Sequence, residues 1–202
     1  MRDCVIVLKL AEKIPDIPDV DYIGADKGAL LLARKKKRMV FSIGDFDSVT
    51  DNERGWIELY SDEVIALNPV KDNSDSEAAV DEAIRRGYRR IYIIGGTGGR
   101  LDHSIVNIRL CLKYPDRVIL SDDLNRMTAF GEGAHRISRN GFKYVSLFAE
   151  NECELSLNGF KYELDHRVFT ERDLYGLPNE LIGETGEIYV HRGNLLVIQT
   201  HD

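Results

Sequence analysis

Two aspartates stand two residues apart in "SIGDFDS", Ser42 to Ser48, just past an apolar run. In an extended backbone that spacing points Asp45 and Asp47 to the same side, with alpha carbons about 6.5 to 7 Å apart. Carboxylates so placed repel one another unless a cation lies between them. Hard oxygen ligands at a strand end suit Mg2+, which takes one or two carboxylates and fills its other positions with water and substrate phosphates. Gly44 removes a side chain where a ligand would approach. The alternative is a turn in which the aspartates and Ser48 satisfy nearby backbone groups.

Further along, "VKDNSDSEAAV" carries a capping box, Ser74 and Glu77, ahead of an apolar helical run. Asp75 is then a first-turn acid. The spacing is not that of an EF-hand loop, because Ser74 and Ser76 occupy ligand positions and the glycine is missing. Lys71, Asp72 and Asp75 thus gather at a second strand-to-helix junction. A third is "IYIIGGTGGRLDHSIVNI", where Gly95, Gly96, Gly98 and Gly99 surround Thr97. Glycines after a strand leave backbone N–H groups open to an anion, and a helix starting near Arg100 adds the positive end of its dipole. Phosphate is the fitting guest. No Gly-Lys-Ser/Thr follows, so this is not a Walker A loop, and Leu101 breaks the dinucleotide fingerprint. Arg100 can fork onto phosphate oxygens. Asp102 beside it needs a cation or a hydrogen-bond donor, and His103 reads as structural. "GADKGALLL" brings Asp26 to a fourth strand end, where a helix N-cap is the competing role.

These junctions require alternating strands and helices. Apolar runs at "MRDCVIVLKL", "DYIGAD", "MVFSIGDFDS", "EVIALNPV", "RRIYIIGG" and "DRVILSDD" are separated by helical patterns, which predicts an α/β domain with a mainly parallel, Rossmann-like sheet over residues 1–123. In such sheets ligands collect at the carboxyl ends of the strands. From residue 124 to 202 the pattern becomes short strands divided by Gly, Asn and Asp turns, which predicts an all-β sandwich or barrel.

The chain has 202 residues, enough for two small domains with real cores. A hydrophobic share of 43% and a charged share of 30% predict a soluble protein, and no apolar run approaches the roughly 20 residues of a bilayer span. Cys4, Cys111 and Cys153 are odd in number and scattered, which indicates neither a disulfide framework nor a zinc site and points to the cytoplasm. A net charge of -7 argues against nucleic-acid binding; the one basic run, "ARKKKR", suits a solvated helix end.

In this order and at these separations, "GADKGA", "GDFDS", "KDNSDSE" and "GGTGGRLDH" resemble the thiamine pyrophosphokinase family, and "LPNELIGETGEIYVHRGNLLVI" is similar to its C-terminal thiamine-binding segment. The resemblance implies an α/β catalytic domain followed by a β-sandwich, ATP as co-substrate, Mg2+, and transfer of pyrophosphate to the thiamine hydroxyl with release of AMP. Carried over by motif, the catalytic acids fall on Asp45, Asp47, Asp75 and Asp102, the first three as metal ligands. Phosphate and nucleotide contacts fall on Asp26, Lys71, Ser74, Gly96, Thr97, Gly98, Gly99 and Arg100, and a thiamine contact on Asn179. A homodimer with its active site at the interface is also implied. The chain departs from the pattern at Lys27, Leu30 and Pro178, and lacks the glycine turn often found after the first strand. A Mg2+-dependent phosphohydrolase and a non-catalytic nucleotide- or thiamine-binding module are the alternative functions.

Overall fold

The computed structural model describes residues 2–68, 74–173 and 178–202. The chain divides into two compact units. One runs through Leu110 and includes Leu120–Asp122; the other comprises Cys111–Ile119 and Asp123–Asp202.

The first unit alternates strands and helices: β1 (Asp3–Val7), β2 (Val20–Ala25), α1 (Lys27–Arg34), β3 (Phe41–Gly44), α2 (Asp51–Tyr60), β4 (Val64–Ala66), α3 (Asp75–Arg85), β5 (Ile91–Ile94), α4 (Leu101–Lys113) and β6 (Val118–Ser121). The last residues of α4 and the first two of β6 group with the second unit. β1 lies between β2 and β5, and β2, β3 and β4 follow outward, every pair parallel. Parallel strands are covered on both faces and so read as continuous apolar runs. Cys4, Val5, Ile6 and Val7 are all fully buried. Val5 and Val7 face Ala29, Leu32 and Ala33 of α1 and Ile57 of α2. α3 packs across β1, β2 and β3.

The helices start where their caps dictate. Thr50 and Glu53 form a reciprocal capping box on α2, and Ser74 accepts the Glu77 N–H at 3.2 Å to open α3. The basic run ending α1 is held in ion pairs: Arg34 with Glu53, Lys37 with Asp16 and Arg38 with Asp62.

The second unit contains β7 (Asn125–Phe130), β8 (Gly133–Ser138), β9 (Tyr144–Asn158), β10 (Leu164–Thr170), β11 (Asn179–Glu180) and β12 (Thr185–Thr200). From β7 onward it is all-β, as expected, but two of its strands are long. "KYVSLFAE" and "CELSLN" are not separate strands; β9 continues through both, and β12 pairs along its length. Asn151 in β9 and Gly193 in β12 adopt positive φ, 61° and 87°, and the register shifts between Val190 and Asn194. These irregularities are bulges, which bend a strand without ending it. A Cβ at Gly193 would lie 2.3 Å from the Glu152 carbonyl oxygen, so the close approach needs glycine. In β12 the buried positions change parity across the bend, from Ile188 and Val190 to Leu195 and Val197, and both halves face one core with Leu155, Phe160 and Phe169. Both halves of the bent sheet thereby close over a single interior, the arrangement of a sandwich.

All three cysteines are free and buried. Burial pushes the Cys153 thiol up to about 11. Among the described residues no helix is long and apolar enough to cross a membrane.

Candidate active site

The chain moves outward from β1 through β2, β3 and β4, then returns to place β5 on the other flank of β1. Such a reversal of strand order leaves a crevice outside the carboxyl ends of the two central strands. A cleft of about 270 Å3 lies there, close to the lower end of small-molecule sites. Leu8, Lys9 and Leu10, following β1, form one wall, and Gly95, Gly96 and Gly98, following β5, form another. Asp26 enters from the end of β2, Ser74 and Asp75 from the start of α3, Arg100 from just before α4, and His103 and Asn107 from its first two turns.

The glycine loop is held in place from several directions. Gly95 has φ +76°, and a Cβ there would sit 2.2 Å from the Ala11 backbone nitrogen. The turn after β1 can therefore lie directly on the loop, tied by Leu8 N–H to Ile94 O at 2.9 Å and Ala11 N–H to Leu8 O at 3.2 Å. Asn107, buried on α4, donates to the Gly96 carbonyl at 2.7 Å. Thr97, expected to contact phosphate, donates its hydroxyl to Asp122 at 2.5 Å. Gly99 faces Leu10. What remains open is a glycine backbone before a helix N-terminus, an anion-binding arrangement.

Asp26 occupies the N-cap position of α1, yet its side chain makes no cap hydrogen bond. Its backbone has φ 47° and ψ -123°, a combination that costs about 1–3 kcal/mol and persists at functional sites. Gly44 packs against it; a Cβ on Gly44 would come within 3.1 Å of the Asp26 alpha carbon. Burial pushes the Asp26 carboxyl above the ordinary aspartate value, the Lys27 N–H opposes this, and repulsion from Asp75, Asp45 and Asp47 adds to it. Four carboxylates thus share one field.

The pair Asp45 and Asp47 is not displayed on an extended strand. Phe46 between them turns to φ 53° and buries its ring in the core under α1 and α2. Asp45 accepts the Asp47 N–H at 3.2 Å, the local turn that was the alternative reading. Both lie outside the cleft lining, while Asp75 is part of it. Among the described residues no three Asp, Glu, His or Cys side chains converge on a position that could hold a metal ion. The expected triad of Asp45, Asp47 and Asp75 is therefore not a preformed cage: the turn at Phe46 keeps the first two on the β3 end and α3 carries the third. The donor set still suits a hard divalent cation, being all oxygen and mutually repelling.

Arg100 forks onto Asp102, with Nε at 3.1 Å and Nη2 at 2.5 Å from its two oxygens. That contact, helped by the His103 N–H, holds the Asp102 carboxyl down at about 2. Both side chains are more than half exposed, so solvent screens the pair and a phosphate can displace it. His103, read as structural, is exposed on the cleft wall. Lys71 and Asp72 lie outside the described residues.

Asn179, in the second unit, is buried. Its amide oxygen accepts the N–H groups of Tyr162 and Glu180, and its Nδ2 donates to the Tyr162 carbonyl at 2.8 Å. The side chain pins the turn that presents the exposed Tyr162 ring.

Lys9, Leu10 and Asn107 are among the cleft residues that escaped the sequence reading. Lys9 and Leu10 sit where a first strand must end, a positional signal without a motif. Asn107 falls at helical spacing with buried Ser104 and Leu110, so a polar residue on the inner face of α4 was the available clue.

Two family models match: "Thiamin pyrophosphokinase, catalytic domain" over residues 20–120, and "Thiamin pyrophosphokinase, vitamin B1 binding domain" over residues 134–195. A thiamine pyrophosphokinase of Bacillus subtilis (strain 168) is 35% identical over 187 residues, covering 90% of this chain and 87% of the relative. The crystal structure of thiamine pyrophosphokinase from Bacillus subtilis superposes with a TM-score of 0.87 at 30% identity, covering 98% of each chain. A thiamin pyrophosphokinase family protein from Enterococcus faecalis gives 0.86 at 25% identity over 100% of both chains.

Proposed function

The chain belongs to the thiamin pyrophosphokinase family, whose members move the pyrophosphate of ATP onto thiamine, and we propose that the cleft at the ends of β1 and β5 is where its residues carry out that transfer. The observation that carries the assignment of the cleft is the meeting of an open glycine backbone, a helix N-terminus and Arg100 with an acidic field at the point of strand reversal.

In the reaction the hydroxyethyl oxygen of thiamine attacks the β-phosphorus of ATP. The bond from that phosphorus to the α-phosphate oxygen breaks, and AMP leaves. Transfers of this kind depend on positioning and charge neutralisation more than on covalent catalysis. The N–H groups of Gly96 and Gly98 and the start of α4 orient the phosphates, and Arg100 leaves Asp102 to fork onto their oxygens. Ser74 lies on the cleft wall beside them. The hydroxyl proton goes to a carboxylate. Asp102 is a weak acceptor only while it is paired; once Arg100 has turned to the phosphates, Asp102 joins Asp75 and Asp26 as a candidate acceptor. Mg2+ bound by Asp45, Asp47 and Asp75 would supply charge neutralisation for the phosphates. Asn179 acts on thiamine through the Tyr162 turn. The protein works in the cytoplasm as a homodimer, with an active site at the interface of two copies.

The test is AMP formation measured with and without thiamine and Mg2+. AMP that appears only with all components supports the transfer, whereas phosphate released from ATP without thiamine would make the protein a hydrolase. Sedimentation at twice the chain mass supports the dimer, and an active monomer removes it.

A further inference from the structure

Placing a nucleoside triphosphate in the cleft raises a question of charge. Its formally charged lining residues are Asp26, Asp75, Lys9 and Arg100. Arg100 is already neutralised by Asp102. Lys9 is the cation of this lining that, among the described residues, makes no ion pair. Its side chain is exposed, yet its backbone is fixed. Leu8 and Ala11 on either side are hydrogen-bonded to Ile94 and to each other, and the missing side chain of Gly95 lets this turn rest on the glycine loop. An exposed ammonium on an anchored stem, beside an open backbone that favours anions, is a compact point charge with no ion-pair partner among the described residues.

We propose that Lys9 is a binding residue for the polyphosphate tail of the nucleotide, and that it sets the preference of the cleft for a nucleoside triphosphate over AMP. This rests on the cleft being the ATP site. A lysine reads charge rather than shape, so its contribution grows with the charge of the anion. The triphosphate gains most, and the product AMP, having lost two phosphates, gains least. Lys9 thereby favours substrate capture without retaining the product.

The experiment is calorimetric titration of the full chain, with Mg2+ present, using α,β-methylene ATP and AMP as probes against wild type, Lys9→Met, Lys9→Arg and the remote control Lys36→Met. Lys9→Met keeps the apolar stem and should bind the methylene analogue about 10-fold more weakly, the low end for a charge-assisted hydrogen bond at an exposed position. AMP affinity should change by less than about twofold, Lys9→Arg should restore most of the loss, and Lys36→Met should behave as wild type. Raising ionic strength should narrow the gap between wild type and Lys9→Met. Unchanged analogue binding in Lys9→Met overturns the proposal. So does an equal loss for the analogue and AMP, which would mark a contact to the nucleoside or a structural role. A wild-type chain that binds neither probe overturns the nucleotide site itself along with Lys9, so the two failures are distinguishable.

Discussion

Replacing Gly95 with alanine puts a methyl group where three backbone atoms already stand: Ala11 N at 2.2 Å, Ala11 Cα at 2.7 Å and the Leu10 carbonyl carbon at 2.8 Å. No side-chain rotation relieves a clash with backbone, so the turn after β1 must move. Holding alanine at φ +76° costs about 1–2 kcal/mol, and the overpacking adds about 1–3 kcal/mol, for a total loss of about 2–5 kcal/mol. Gly98 supplies the control within the same loop. Its φ is +82°, but a Cβ there meets nothing within 4 Å, so Gly98→Ala should lose only the backbone part, about 1–2 kcal/mol. Urea unfolding of both variants, compared at a common m value, reads the difference as the cost of packing alone. Equal losses, or a larger loss at Gly98, would show that the β1 turn does not rest on the glycine loop and would refute the description of the cleft wall.

Asp26→Asn should raise the thermal midpoint near neutral pH while lowering activity. The folded carboxyl holds its proton more tightly than the unfolded one, so its ionisation opposes folding above the folded pKa. That penalty disappears as the pH falls below the ordinary value of 3.8, and the advantage of Asn over Asp should fade there; a gain that persists in acid would point to backbone strain instead. Arg100→Ala should raise the KM for ATP about 10- to 100-fold and leave that for thiamine within about twofold, as steady-state kinetics will read. Asp102→Asn should tighten ATP by freeing Arg100, with almost no effect on unfolding because the pair is exposed. The depressed Asp102 carboxyl keeps the pair intact above the usual aspartate range and loses it as the pH falls toward 2, so the two chains should converge in acid. Asp45→Asn and Asp47→Asn should each abolish most turnover at ordinary Mg2+ with unchanged melting, and full activity in both would remove them from the site.

The parallel half was legible because strands buried on both faces leave unbroken apolar runs, and because caps such as Ser74 announce helix starts. The β half was legible in kind but not in its breaks. Asn151 and Gly193 look like turn residues, and a positive φ does end many strands, but here the neighbouring strand continues the pairing past them. Only the partner decides between a turn and a bulge. Spacing placed Asp45 and Asp47 correctly at a strand end and misjudged how they are displayed, because the burial of Phe46 overrides the extended geometry that spacing assumes. The hydroxyl partner of Thr97 was not legible for a related reason: Asp122 is 25 residues away. Asn179 sat in a recognisable segment, but three hydrogen bonds commit its amide to the fold.

The position of β12 has a consequence for the order in which the second unit assembles. Its first half pairs with β8, its second half with β7, and its whole length with β9, so three strands wait for one that follows them by many residues. β9 and β10 can close early as a local hairpin. β7 and β8 gain their ladders with β12 only when that strand docks, and non-local pairing of this kind slows folding. Until then β9 presents a long unpaired edge, open to the same strand of another nascent chain. The docking of β12 is thus the step that covers this edge, and conditions that slow it should reduce the yield of folded protein before they reduce its stability.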